Sequence, residues 1–357
     1  MDREDVGPRR ARPMLVRVPV EPVEAAMEAD AADAAARVDE LAVRGPLFGV
    51  AAQGDGDGNR WRVVSPVTSG CPQLARNCLN SLLWFRAKDG ARDREERRAL
   101  LAAVALMETE RVDELAVAGV RYRVVRAEEY AGTGPDGLEP PRPTDPEPLV
   151  PEWSRGKRGP GIDDGLVLDP DAPVPPTQAA EQLALRDLCY TAALFAEDAV
   201  RDSRRALDTH PDVLLLPATF TVVEQTDFGW KPVSGPHISP HAARRSLNFA
   251  LTWAWPRMHG LISIDAETMA DARALLAEGG EAVPELIEYA AAADRLRAGR
   301  VNRVEFQGSW YQVGRTRRLV RWGPDGPEGP RPTDANSQEP ERIRPPLDED
   351  GHILSED

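Results

Sequence analysis

Two spacings of apolar residues divide the chain. Alternation rich in β-branched and aromatic residues marks LFGVAAQ (47–53) and RWRVVS (60–65), joined by the turn cluster GDGDGN. Together they predict a β-hairpin over 46–65. The signal returns over 213–234 with TDFG at the bend, in DELAVAG–VRYRVVR (113–126), and in NRVEFQG–SWYQVGR (302–315). Between these lie longer runs that predict helices: an Ala-rich one over 21–43, one from Gly70-Cys71-Pro72 to Phe85, and ARDREERRALLAAVALM over 91–107. A looser helical run covers 178–208, another starts at Ser239-Pro240, and the last pair covers 266–278 and 282–298. The order helix, hairpin, two helices, hairpin occurs twice, which predicts an α+β fold with antiparallel sheet.

The recurrence extends to the residues themselves. Gly119–Asp145 aligns without a gap on Gly308–Asp334, with 14 of 27 positions identical; chance at this composition gives about two. Upstream, Phe48, Val50 and Gln53 match Phe220, Val222 and Gln225, Trp61 matches Trp230, and Ala75-Arg76/Leu79-Asn80 matches Ala243-Arg244/Leu247-Asn248. The chain therefore reads as a tandem internal duplication. A flexible N-terminus (1–14) precedes a first repeat domain (15–175, with an irregular Pro/Gly/Asp-rich arm and linker over 131–175). The second repeat domain follows (176–357, with an irregular arm and tail over 323–357). A pseudo-twofold arrangement is expected, in effect a pseudo-dimeric monomer. Both arms carry GPDG, suited to a tight turn, and RPTD, suited to an extended segment. Their matched spacing predicts that each docks on its own domain.

Charge narrows the function classes. The 357 residues carry a formal net charge of −15, and only Lys88, Lys157 and Lys231 are lysine. So acidic a chain argues against general binding to nucleic acid or anionic membrane. No run approaches the length of a membrane span. The N-terminus lacks an apolar leader, and Cys71, Cys78 and Cys189 form no disulfide framework. A cytoplasmic location is expected.

Candidate chemistry is sparse. His237 and His241 stand four apart, but Pro240 interrupts them and the aligned positions hold no histidine. No cofactor and no metal is expected. Arg315, Arg317, Arg318 and Arg321 form a basic stripe on the last long strand. It could grip an anionic partner or ligand; the plainer reading is an exposed face paired with the chain's own carboxylates. On the exposed reading, charge reversal at Arg317 and Arg318 should leave folding intact. Arg76/Asn80 and Arg244/Asn248 each share a helix face at i, i+4 and could line one crevice between the repeats; tying the helices to nearby backbone is the plainer role. Trp61, Trp230, Tyr122 and Tyr311 read as packing residues, and Trp253 and Trp255 as cover for the contact between copies.

The combination FxVxxQ…WRVVS, ARxxLN and RWGPDGPEGPRPTD (321–334) resembles a domain-of-unknown-function family of actinobacterial, streptomycete-type cytoplasmic proteins. The resemblance spans nearly the whole chain and implies no activity. The leading reading is a non-enzymatic interaction or scaffold protein with an unknown protein partner, since no catalytic motif stands out. The alternative is an enzyme or small-anion-binding protein with its site in the crevice between the repeats.

Overall fold

The computed structural model describes residues 12–153, 160–226, 229–267, 270–277 and 283–354. Of the expected flexible N-terminus, residues 1–11 lie outside these, as do Asp227 and Phe228 of the TDFG bend.

The first helix, α1 (Pro22–Ala35), starts on a proline, whose missing N–H costs nothing there. It ends well before residue 43. From Glu40 the chain enters β1 (Glu40–Gly54), because those residues find a full-length partner strand and pairing outweighs local propensity. Asp57 accepts from the Gly54 N–H at 2.7 Å in the turn to β2 (Trp61–Ser69). In α2 (Pro72–Phe85), Ala75, Leu79 and Leu83 recur every four residues and are fully buried. A π turn (Arg86–Gly90) extends it. Then come α3 (Arg94–Met107), capped by Asp93 accepting from Glu96 N–H at 2.8 Å, β3 (Glu114–Val117), β4 (Val120–Gly134), β5 (Gly137–Leu138) and β6 (Val167–Leu168).

The expected helix over 178–208 is two: α4 (Pro176–Ala184) and α5 (Glu197–Thr209). After β7 (Asp212–Leu215), β8 (Thr219–Thr226) and β9 (Gly229–Pro232), α6 (Pro240–Phe249) is capped by Ser239 and also runs into a π turn (Ala250–Ala254). The chain closes with α7 (Trp255–Met258), α8 (Ala272–Ala277), α9 (Pro284–Arg297), β10 (Arg303–Phe306), β11 (Ser309–Gly323) and β12 (Gly326–Pro327). The protein is α+β, as expected.

Among the described residues the strands form one curled antiparallel sheet along the path β6-β2-β1-β4-β11-β8-β9. One core lies under α2 and α3 (Phe48, Leu79, Leu100, Val124), another under α6 and α9 (Phe220, Leu247, Tyr289, Val313). Truncating one such leucine to alanine costs about 2–5 kcal/mol. A third cluster mixes both halves: Trp61, Val125 and Ala127 pack with Leu216, Val320 and Trp322. Trp255 packs on Phe306 and Tyr311 within the second half. No described helix is long and apolar enough to cross a membrane.

The halves join where β4 crosses β11, with Ala127, Glu128, Glu129 and Tyr130 opposite Val320, Leu319, Arg318 and Arg317. The crossing lies just past the middle of both strands, and the chain beyond each touches both halves. Each arm docks on its own half, through Thr144 with Asp30 and Thr333 with Asp202, and on the opposite half as well. Arg126 N–H donates to Glu328 O at 2.9 Å, and Arg315 N–H to Glu139 O at 2.8 Å. Farther on, Glu147 pairs with Arg244 at 2.5 Å and Trp153 joins the second half's core. The C-terminal segment in turn takes Trp84 Nε1–H on Pro345 O at 2.8 Å and buries Leu347 in the first half's core. RPTD is a turn rather than an extended segment: Asp145 and Asp334 cap the backbone N–H of Arg142 and Arg331, each at 2.7 Å.

The turns into β5 and β12 need glycine. Gly137 and Gly326 have φ of +98° and +113°, and a Cβ on Gly326 would stand 2.7 Å from Trp61 Nε1. At Gly137 the clash would be with Trp230, which is half-buried and has room to move, whereas Trp61 is buried. Gly326→Ala is therefore expected to lower stability by about 2–4 kcal/mol, combining backbone strain and overpacking. Gly137→Ala should cost clearly less. Urea denaturation midpoints of the two variants check the order.

Candidate ligand-binding cavity

A cavity of about 1020 Å³ opens between α1, α4 and the crossing of β4 with β11. Its walls follow from composition. Ala31, Ala32 and Ala35 of α1 and Ala180 and Ala184 of α4 present side chains too short to reach the sheet. The two helices are nonetheless held in place. Glu28 accepts from Thr177 N–H (3.0 Å) and Oγ1–H (2.7 Å) at the start of α4. Asp30 accepts from Thr144 N–H (3.1 Å) and Oγ1–H (2.5 Å) of the RPTD turn.

The floor carries the charge. Arg315 is 8% exposed; its Nε shares Asp145 at 3.2 Å from both carboxylate oxygens. Its Nη1 stands 3.6 Å from Glu139 and has no hydrogen-bond partner. Burial lowers the pKa of this guanidinium; Asp145 opposes the shift, while Arg142 and Arg317 add to it. Arg317 pairs with Glu181, which also accepts from Tyr130 O–H at 2.6 Å. The Tyr130 hydroxyl is pushed far up, first by burial. Arg142 pairs with Glu139 at 2.6 Å.

On the opposite side of the crossing, the aligned positions are filled by the chain. Arg126 pairs with Asp334 at 2.9 Å and Glu128 at 2.5 Å, and donates to the Tyr190 hydroxyl at 2.9 Å. Tyr190 O–H donates to Glu128 at 2.8 Å, and its ring stacks on Phe195 with centroids 3.9 Å apart. The guanidinium carbons of Arg126 and Arg331 lie 5.9 and 5.7 Å from the ring. Burial opposes the charge of Arg126, but the surrounding carboxylates overcome it and raise its pKa.

The arginine stripe is thus not on an exposed edge. β11 is flanked by β4 on one side and β7 and β8 on the other, so its arginines point into covered space. Arg315 and Arg317 reach the cavity. Arg318, 0% exposed, forms a two-pronged pair with Asp163 (2.6 and 2.8 Å) and donates to Val67 O. Arg321, buried on the cavity-side face of the strand, holds the carbonyls of Arg186 and Leu188. The other candidate set is also internal. Arg76 binds Asp113 at 2.7 Å and Asn80 donates to Val104 O at 3.2 Å in the first half. Arg244 binds Asn302 at 2.7 Å and Glu147, and Asn248 is buried beside it on α6. Their partners lie in separate cores, and none of the four lines the cavity. His241 meets the carbonyl of Glu152 at 2.9 Å. Among the described residues no His, Cys, Asp and Glu cluster is arranged to hold a metal ion.

Sequence reasoning missed Tyr130, Glu181 and Asp30. It could have found Arg126/Arg315, Glu139/Glu328 and Asp145/Asp334, which are identical pairs in the repeat alignment.

Because Arg318 and Asp163 are sealed together, Arg318→Met alone and Asp163→Asn alone should each cost about 3–5 kcal/mol by stranding a buried charge or its donors. The double variant should cost clearly less than the sum. Asparagine also tolerates the positive φ of 62° at position 163. Denaturation of all four proteins in a double-mutant cycle checks this. An Arg318→Glu change, tolerable on an exposed strand, should prevent folding.

No curated protein and no solved structure matches the chain. A family model matches residues 21–337, nearly the whole of the chain laid out above, and the protein accordingly belongs to a family of unknown function, DUF5954.

Proposed function

We propose that this protein binds a small, partly apolar anion in the cavity at the junction of two copies of one duplicated unit. The observation that carries the reading is the group of three guanidinium side chains, Arg315, Arg317 and Arg142, on the wall of a largely apolar cavity. An anion entering the cavity would meet charged donors there. Alanine and proline walls would receive an apolar body, the usual division of labour in a ligand site.

The duplication is supported by register and by paired contacts. Residues 189 apart align, so Glu129 and Arg318 are counterparts, and they stand opposite each other. The flanking pairs, Glu128 with Leu319 and Tyr130 with Arg317, are then images of one another about a pseudo-twofold axis. Arg126–Asp334 and Arg315–Asp145 match, as do Thr144–Asp30 and Thr333–Asp202. A cytoplasmic setting suits three unpaired thiols.

The interaction-protein reading has separate support. Leu15, Val18, Val20 and Val23 are all more than 60% exposed, an apolar row leading into α1. Activity there would survive filling of the cavity.

A thermal-shift screen of small carboxylates and phosphates tests the proposal. At 100 times its Kd, a ligand adds about 2.7 kcal/mol, enough to raise Tm measurably. The shift should vanish in Ala180→Trp, and weaken in the milder Ala31→Leu, with the unliganded Tm of each near wild type. No stabilising compound, or equal shifts in both filled variants, would overturn it.

A further inference from the structure

Tyr190 occupies, on one side of the crossing, the place that the cavity leaves open on the other. Residue by residue, Arg126, Glu128, Glu328, Arg331 and Asp334 around Tyr190 align with Arg315, Arg317, Glu139, Arg142 and Asp145 around the cavity. The helices agree as well. Thr333 binds Asp202 on α5 as Thr144 binds Asp30 on α1, so Ser203 aligns with Ala31. Ser203 Oγ accepts the backbone N–H of Tyr190, and Ala31 lines the cavity. The segment that approaches α1, residues 12–21, contains no aromatic residue that could take the part of Tyr190.

Tyr190 is therefore an internal template for what the cavity accepts. Two guanidinium carbons lie 5.9 and 5.7 Å from its ring, which also stacks on Phe195, and both arginines have counterparts at the cavity in Arg315 and Arg142. One substitution changes the polar end. Glu128, which accepts the tyrosine hydroxyl proton, is replaced by Arg317, which can only donate. At that one place the open site presents a cation where the site that holds a neutral phenol presents a carboxylate.

Resting on the cavity-binding reading above, we infer that the ligand is a planar aromatic compound bearing a single carboxylate, its ring against Arg315 and Arg142 and its carboxylate on Arg315 and Arg317. The cavity volume exceeds what one phenol ring needs and leaves room for a fused or substituted ring system.

Calorimetric titration of the full chain with four probes tests this: 2-naphthoate, 2-naphthamide, 2-naphthol and decanoate. 2-Naphthoate should bind at least tenfold more tightly than each of the others. Arg317→Glu, which restores the carboxylate found beside Tyr190, should lose naphthoate at least tenfold and gain 2-naphthol. Arg317→Gln should lose naphthoate without that gain, and serves if the charge reversal does not fold. Decanoate or 2-naphthamide binding as well as naphthoate, and abolished by Ala180→Trp, would overturn the aryl-carboxylate inference while leaving the cavity reading intact. Binding of none of the four, where the wider screen finds a cavity ligand, would overturn this inference alone. Naphthoate binding that Ala180→Trp leaves unchanged would overturn both.

Discussion

The antiparallel crossing of β4 and β11 is the constraint from which the rest of the architecture follows. Only four residue pairs make it, yet it fuses two sets of strands into one sheet and sets the direction in which each strand leaves. Beyond the crossing, the chain after Gly134 reaches the second half as well as its own, and the chain after Gly323 reaches the first as well as its own. Each core is completed by a segment supplied by the other half: Trp153 in one, Leu347 in the other. Folding of either half is thereby coupled to the other, because a core lacking its strap exposes apolar surface that only the crossing can cover.

Arginine supplies the polar order at this junction. In an apolar surrounding a guanidinium is tolerable only when carboxylates or carbonyls take up its donors, and the planar fork of arginine allows several at once. Arg318 meets this condition with Asp163, and Arg321 with two carbonyls. Arg126 is enclosed by Glu128, Asp334 and a tyrosine hydroxyl. Arg315, in the aligned place, keeps Asp145 but stands farther from Glu139 and next to two other cations. The aligned residues of the two sides meet different neighbours: Tyr190 and Ser203 on one side, Ala31 and Arg317 on the other.

Much of the fold was legible in the amino-acid sequence. The hairpins, the helices opening at Pro72 and Pro240, the α+β class and the correspondence of 119–145 with 308–334 all rest on short-range signals: alternation, caps, turn residues and repeated spacing. The arginines, glutamates and aspartates that meet at the junction were also visible as residues that recur in both stretches. Tertiary structure alone decided where they go. Whether β11 is an edge or an interior strand depends on β4, nearly two hundred positions away in sequence, and that pairing turned a stripe that read as exposed into buried ion pairs. The end of α1 at Ala35, the contacts that each arm adds with the opposite half and the cavity left by short alanine side chains are likewise long-range outcomes. Local patterns report propensity and periodicity; burial, charge compensation and empty space are properties of which distant segments meet.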